Sequence, residues 1–199
     1  MGVNRMQSDS LVLHTGRLQL MVLDERAAAA VLDYYVRNRA FHDPWFPARD
    51  DHVFSIRQQL ANLVAEKADF LSGRAMPFWL SLHEEPDRII GRIAFTQIVY
   101  GGLRSAFMAW HMDQACQHQG LAFEAGQAAI ERMFADFGLH RLEAAILPGN
   151  ARSIALAGRL GFELEGVSPR YLQINGVWED HLRYVLLSDG PLWPDKTSS

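Results

Sequence analysis

An α+β fold built on a mixed sheet is what the sequence predicts, and three observations carry that expectation. Residues 78–83, 89–99 and 104–112 are apolar runs separated by the turn EEPDR and by Gly101-Gly102, so three strands follow one another and a strictly alternating strand–helix layout is excluded. The rhythm then changes to helix, strand and short helix, and the chain closes on strands joined by Asn175-Gly176, a pair suited to a type I′ hairpin. With 199 residues, 49% of them hydrophobic, the chain can bury a sizeable core, so one domain is expected over 1–199 with its core at about 11–188.

Taken in order, residues 17–23 (RLQLMVL) form an apolar strand ended by Asp24 and Glu25, acidic residues that suit the start of the helix expected over 27–38. The next stretch, RAFHDPWFPARDD, holds Pro44 and Pro47 and reads as a packed loop. Its aromatics, Phe41, Trp45 and Phe46, either plug the core or wall a substrate site. A second helix is expected over 53–72, where apolar residues recur at helical intervals up to Gly73. After the three-strand run come a glycine-bearing loop (DQACQHQG), a helix over 121–137, a strand over 141–147, a PGN loop and a short helix over 151–160 stopped by Gly161. Strands are expected over 162–167, 171–174 and 177–187, with a loop at Pro169 and a frayed tail, SDGPLWPDKTSS.

Charge and cysteine usage narrow the function. Nineteen Lys and Arg against 23 Asp and Glu give a net charge of -4, without the basic excess of a chain that grips phosphate backbones, so no direct nucleic-acid binding is expected. Cys116 is the single cysteine, which excludes a disulfide framework and a multi-thiolate zinc site and fits a reducing cytoplasm. The opening MGVNRMQSDS has no apolar signal core, and charged residues interrupt the apolar runs before they reach membrane-spanning length. Eight histidines invite a metal, yet His111 and His118 lack ligand spacing and acidic partners, so no metal is expected. No nucleophile elbow or Walker loop occurs.

The window from Trp110 to Ala128 carries the chemistry. A strand ends, the chain turns through Gln117-His118-Gln119-Gly120-Leu121-Ala122, and a helix begins at once. Such a junction aims unpaired N–H groups and the positive end of a helix dipole at one spot, which suits a pyrophosphate. Gly120 and the small Ala122 let an anion approach the backbone, although a glycine before a helix also serves as a plain turn.

About thirty residues on, a strand is followed by PGNARSIALAGRLGFELEG, and together the two segments resemble the GNAT N-acetyltransferase superfamily. Gln117, Gly120 and Ala122 match its acetyl-CoA loop, while Asn150, Ser153 and Leu160-Gly161-Phe162 match its second signature. The likeness extends through Arg17-Leu18, Tyr34-Tyr35, Asn38-Arg39, Pro44-Trp45 and the closing NGVWEDH, and is greatest to the RimJ/RimL branch of ribosomal-protein-alanine N-acetyltransferases. The resemblance implies a central mixed sheet splayed at its middle and flanked by helices, with acetyl-CoA in the V-shaped gap. It also implies that Trp110 and Met112 lend backbone groups to pantetheine, and that the amides of Gln117, His118, Gln119, Gly120, Leu121 and Ala122 hold the pyrophosphate, with Asn150 and Ser153 beside the cofactor.

Acetyl transfer needs a neutral amine, a thioester carbonyl held close and a way to stabilise the departing thiolate. Glu143, on the strand expected to line the gap, is the candidate base, or else pairs with an arginine such as Arg141 or Arg92. Ser153 is the candidate group for the thiolate, or else an N-terminal cap of its own helix. The position where many relatives carry a tyrosine acid is Ala157, and Arg170 stands before Tyr171 where some relatives carry an acidic residue. Cys116, just before the loop, is read as a small thiol rather than as an acetyl carrier. The expected activity is acetyl transfer to the α-amine of a protein N-terminus, with a ribosomal protein as the acceptor that the resemblance implies. The alternatives are acetylation of a small amine or antibiotic, and a module that binds acetyl-CoA without turnover.

Overall fold

Eight strands align in one sheet in the order β1-β2-β3-β4-β5-β6-β8-β7. In the computed structural model, which describes residues 11–188, they are β1 (Val12–His14), β2 (Leu18–Met21), β3 (Met76–Leu82), β4 (Gly91–Val99), β5 (Ser105–Met112), β6 (Arg141–Ile146), β7 (Glu163–Ile174) and β8 (Val177–Leu187). The helices are α1 (Ala28–Arg37), α2 (Arg39–His42), α3 (Ile56–Leu71), α4 (Leu121–Phe137) and α5 (Ala151–Arg159). Neighbouring strands pair antiparallel except β5 and β6, which are parallel. The connection between those two is α4, the crossover that parallel neighbours require.

That parallel pair sets the geometry of the site. Ser105, Ala106 and Phe107 pair with Arg141, Leu142 and Glu143, and there the ladder stops. Beyond it β5 stays with β4 as far as Met112 opposite Gly91, while β6 stays with β8 as far as Ile146 opposite Leu182. Each strand follows its antiparallel partner, so a gap opens between Met108–Met112 and Ala144–Ile146. A bulge between Thr96 and Val99, with Gln97 at φ 51°, interrupts the β4–β5 register; bulges bend strands and increase their twist.

Packing covers both faces. On one, Ala125, Ala129 and Met133 of α4 join Leu18, Leu20, Phe95 and Leu142 in the larger core. On the other, Val31 and Tyr34 of α1 and Leu63 of α3 enclose Trp79 and Ile89. The indole N–H of Trp79 donates to Glu66 at 2.9 Å, and the same carboxylate accepts from Arg92 at 2.7 Å, so the buried indole N–H has its partner. No helix among the described residues is long and apolar enough to cross a membrane.

Most elements lie where the sequence places them, and α4 and β8 have the expected bounds. The packed loop after α1 instead runs on as the short α2 and a 3-10 turn at Asp43–Trp45, with Pro44 at its start, where proline's missing N–H costs nothing. The two strands expected around Pro169 are one strand, β7, whose register with β8 shifts between Ser168 and Leu172. That shift accommodates Pro169 and Arg170, the latter at φ 46°. Strand β1 was not expected; three residues carry too short a pattern to read. The expectations for the opening MGVNRMQSDS and for the tail from residue 189 lie outside the described residues.

Candidate active site

The gap between β5 and β6 opens into a cavity of about 500 Å³. Its walls come from Trp110, His111 and Met112 of β5, from the loop after β5, from the first turn of α4, from α5 along its length, and from the segment Phe41–Phe46.

The loop is built to present its amides. Asp113 accepts from the Ala115 amide and starts a 3-10 turn, Gln114–Cys116. His118 then sits at φ 61° and Gly120 at φ 76°, two left-handed residues that turn the backbone before α4 begins. Among the described residues the amides of His118, Gln119 and Gly120 donate no hydrogen bond, and those of Leu121, Ala122 and Phe123 precede the first helical bond of α4, from the Glu124 amide to the Gly120 carbonyl at 3.0 Å. Together with the helix dipole they make a cradle suited to an anion. Gly120 is required by its left-handed conformation rather than by crowding: a Cβ there would meet Arg17 Nη2 at an ordinary 3.6 Å.

Arg17 locks the cradle from behind. Its guanidinium donates to the Gln119 carbonyl at 3.0 Å and pairs with Glu124, in the first turn of α4, at 2.7 Å. Thr15 Oγ1 and the Arg17 amide also donate to Glu124, at 2.6 and 2.8 Å. Burial works against that carboxylate, but the Thr15 and Arg17 hydrogen bonds outweigh it and hold its pKa below the ordinary range.

Of the residues the sequence singles out, Trp110, Met112, Gln117, His118, Gly120, Leu121, Ala122, Asn150 and Ser153 line the cavity together. Gln119 does not; its carbonyl and side chain are engaged by Arg17 and Ala115. The cap of α5 is Asn150, whose Oδ1 accepts from the Ser153 amide at 3.1 Å. Ser153 therefore does not cap the helix, and its hydroxyl has no hydrogen-bond partner among the described residues.

Glu143 is not brought to the cavity. It stands opposite Phe107 at the last closed rung of the β5–β6 ladder, below the point where the strands part. Its carboxylate accepts from Arg183 at 2.7 Å and lies 3.2 Å from Arg141. The arginine pairing weighed in the sequence holds for Arg141, whereas Arg92 goes to Glu66.

Two features were not legible beforehand. His42, at the end of α2, and His111 of β5 both line the cavity, their rings 5.3 Å apart. Burial lowers the pKa of both; at His42 the Met112 carbonyl opposes this, while at His111 the positive charge of Arg92 adds to it. Arg152, from the first turn of α5, reaches across to the face of Phe41 at 4.5 Å and lies 6.0 Å from the Trp45 ring. The aromatic segment is thus a cavity wall. A histidine in a proline-ended apolar stretch gives no periodic signal, so only the tertiary fold reveals His42.

This combination of a parted parallel strand pair, an amide cradle at a glycine-led helix and an asparagine-capped second helix has a counterpart in sequence. The family model for the acetyltransferase (GNAT) domain matches residues 17–163. The chain belongs to this family. As a GNAT chain it is 37% identical over 182 residues to the [Ribosomal protein uS5]-alanine N-acetyltransferase of Escherichia coli (strain K12), covering 91% of this chain and 92% of the relative. Among solved structures it is similar to the ribosomal-protein-S5-alanine acetyltransferase from Vibrio fischeri, with a TM-score of 0.85 and 27% identity over 90% of this chain and 97% of that one. Mycobacterium smegmatis RimJ in complex with CoA-disulfide superimposes with a TM-score of 0.83 at 25% identity, covering 92% and 89% of the two chains. The GNAT chain is thus an N-acetyltransferase on a mixed eight-stranded sheet flanked by helices.

Proposed function

We propose that this enzyme transfers the acetyl group of acetyl-CoA to the α-amine at the N-terminus of a ribosomal protein, in the cytoplasm. The observation that carries the reading is the 37% identity, sustained over nine-tenths of both chains, with an enzyme named for acetylating an alanine of uS5. The cavity supports it, because the amide cradle led by Gly120 fits a pyrophosphate and the gap beside Trp110 and Met112 fits an extended arm. Bound there, acetyl-CoA supplies an acyl group already activated on sulfur.

The chain's own residues then have separate tasks. The amides of His118, Gly120, Leu121 and Ala122 hold the diphosphate; that of Gln117, expected among them, donates instead to the Gln114 carbonyl at 3.4 Å, and Gln119 is steadied from behind by Arg17. Backbone groups of Trp110 and Met112 and the side chain of Asn150 align the arm along the gap. The unpartnered hydroxyl of Ser153 meets the departing thiolate, taking the task for which Ala157 has no group. Glu143, set apart by its arginines, serves the sheet. An α-amine, with a pKa near about 8, needs only mild help to attack.

Thiol release on mixing the purified protein with acetyl-CoA and an alanine-initiated peptide tests the reading. Release with the peptide but not with small amines supports it; release with small amines alone would replace the acceptor class. Cofactor binding without release from any amine would leave a non-catalytic binding module. In cells, deletion should remove ~42 Da from one ribosomal-protein N-terminus, as read by intact-mass spectrometry.

A further inference from the structure

Among the described residues, no Asp or Glu side chain lines the cavity in which the proposed transfer takes place. The side chains there that exchange protons are His42, His111, His118 and Cys116, since the arginines stay charged. Burial raises the Cys116 pKa, with Asp113 adding to the effect, so it stays a thiol. His118 belongs to the anion cradle. Two imidazoles remain, and their hydrogen bonds tell them apart.

At His42, Nε2 lies 2.9 Å from the Met112 carbonyl oxygen. A carbonyl accepts and never donates, so Nε2 carries the hydrogen and Nδ1 carries the lone pair. That Nδ1 is buried without a hydrogen-bond partner among the described residues, in a residue only 3% exposed. A buried acceptor left unpaired is costly, and where it persists at a ligand cavity it marks a group awaiting its partner. At His111 the arrangement is reversed. Tyr34 Oη lies 2.6 Å from His111 Nδ1, and burial, with the coulombic influence of Tyr35 added, keeps the phenol protonated. Whichever partner holds the shared hydrogen, His111 Nδ1 is already engaged, and the positive charge of Arg92 adds to burial in disfavouring a proton on that ring.

We propose that His42 is the general base of the acetyl transfer, its Nδ1 taking the proton that the attacking amine loses, directly or through one water. The inference rests on the transferase reading given above. The amine nitrogen forms its bond to the thioester carbonyl carbon, the C–S bond breaks, and one N–H proton passes to Nδ1. The imidazolium then returns that proton to the coenzyme thiolate through water, so the products are the amide and the free thiol. The groups facing His42 are suited to this traffic. Arg49 disfavours its protonated form, Asp43 and Asp113 favour it, and the rings of Tyr34, Phe41, Phe46 and His111 shield it from bulk water.

The test compares H42Q with H42A, each against the native protein, in thiol release with acetyl-CoA and the alanine-initiated peptide. A glutamine amide can donate to the Met112 carbonyl as Nε2 does, but it has no basic lone pair. The expected result is a kcat lower by about 10²-fold or more in both variants, with the KM for the peptide, the calorimetric affinity for coenzyme A and the melting temperature of H42Q close to native. Nitrogen-15 spectra of histidine-labelled native protein should show His42 as the Nε2–H tautomer. Native turnover in H42Q beside a defective H42A, or an Nδ1–H tautomer, would overturn the proposal and leave His42 a brace for β5. A native protein that releases no thiol would instead defeat the transferase reading, so the two failures are distinguishable.

Discussion

At residue 120 the backbone turns left-handed, φ 76°, beside amides that donate no hydrogen bond among the described residues, and the proposed diphosphate site depends on that single torsion. Gly120→Glu adds strain of roughly 1–2 kcal/mol for a side chain in that region and places a negative charge against the cradle. Coenzyme A titration of this variant should show at least a 100-fold weaker affinity in a protein that still folds. The free hydroxyl of Ser153 is used differently: Ser153→Ala keeps the Asn150 cap, which receives the backbone N–H, and removes only the donor. Turnover should fall about ten- to a hundredfold, the loss expected for one transition-state hydrogen bond, with cofactor affinity nearly native. The loop was legible as a glycine-bearing junction between strand and helix, and the serine through the resemblance of its segment to the family's second signature. Glu143 was not, because whether a strand residue faces a gap depends on where the ladder ends, and the sequence carries no mark of the rung at Phe107.

Elements hold these residues in place through a few close approaches. Gly91 begins β4 opposite Met112, and a Cβ there would lie 2.4 Å from Met112 Sδ and 3.0 Å from the His111 carbonyl oxygen. Gly91→Ala should therefore push β5 away at the cavity wall, costing about 1–3 kcal/mol and weakening turnover together with stability, as chemical denaturation and thiol release would show. The junction between β5 and the loop is tied by Asp113, which is 3% exposed and paired with Arg37 at 2.8 Å. Burial opposes that carboxylate, but the Ala115 amide and Arg37 outweigh it and keep its pKa below the ordinary value. A depressed folded-state pKa contributes stability above the unfolded value, about 3.9, and the contribution is lost as pH falls through the folded one. Below about pH 4, native stability should fall more steeply than that of Asp113→Asn, which at neutral pH should already be weaker by roughly 1–3 kcal/mol. The helices were readable from periodicity and caps; the continuation of α1 into α2 and the fusion across Pro169 were not, because both are fixed by contacts distant in sequence.

Across the whole molecule, the sequence conveys the succession of elements and leaves their arrangement to packing. Strand pairing in the order β5-β6-β8-β7 brings residue 187 beside residue 141, and no local pattern announces such neighbours. The same arrangement leaves the two halves of the sheet hinged on three rungs, Ser105 to Phe107 against Arg141 to Glu143. A linear guest wedged into that fork would bridge main-chain groups that no neighbouring strand joins. Occupancy and folding are then thermodynamically linked: a hundredfold excess over the dissociation constant adds about 2.7 kcal/mol, and deuterium uptake along the inner edges of the fork should slow before it slows anywhere else.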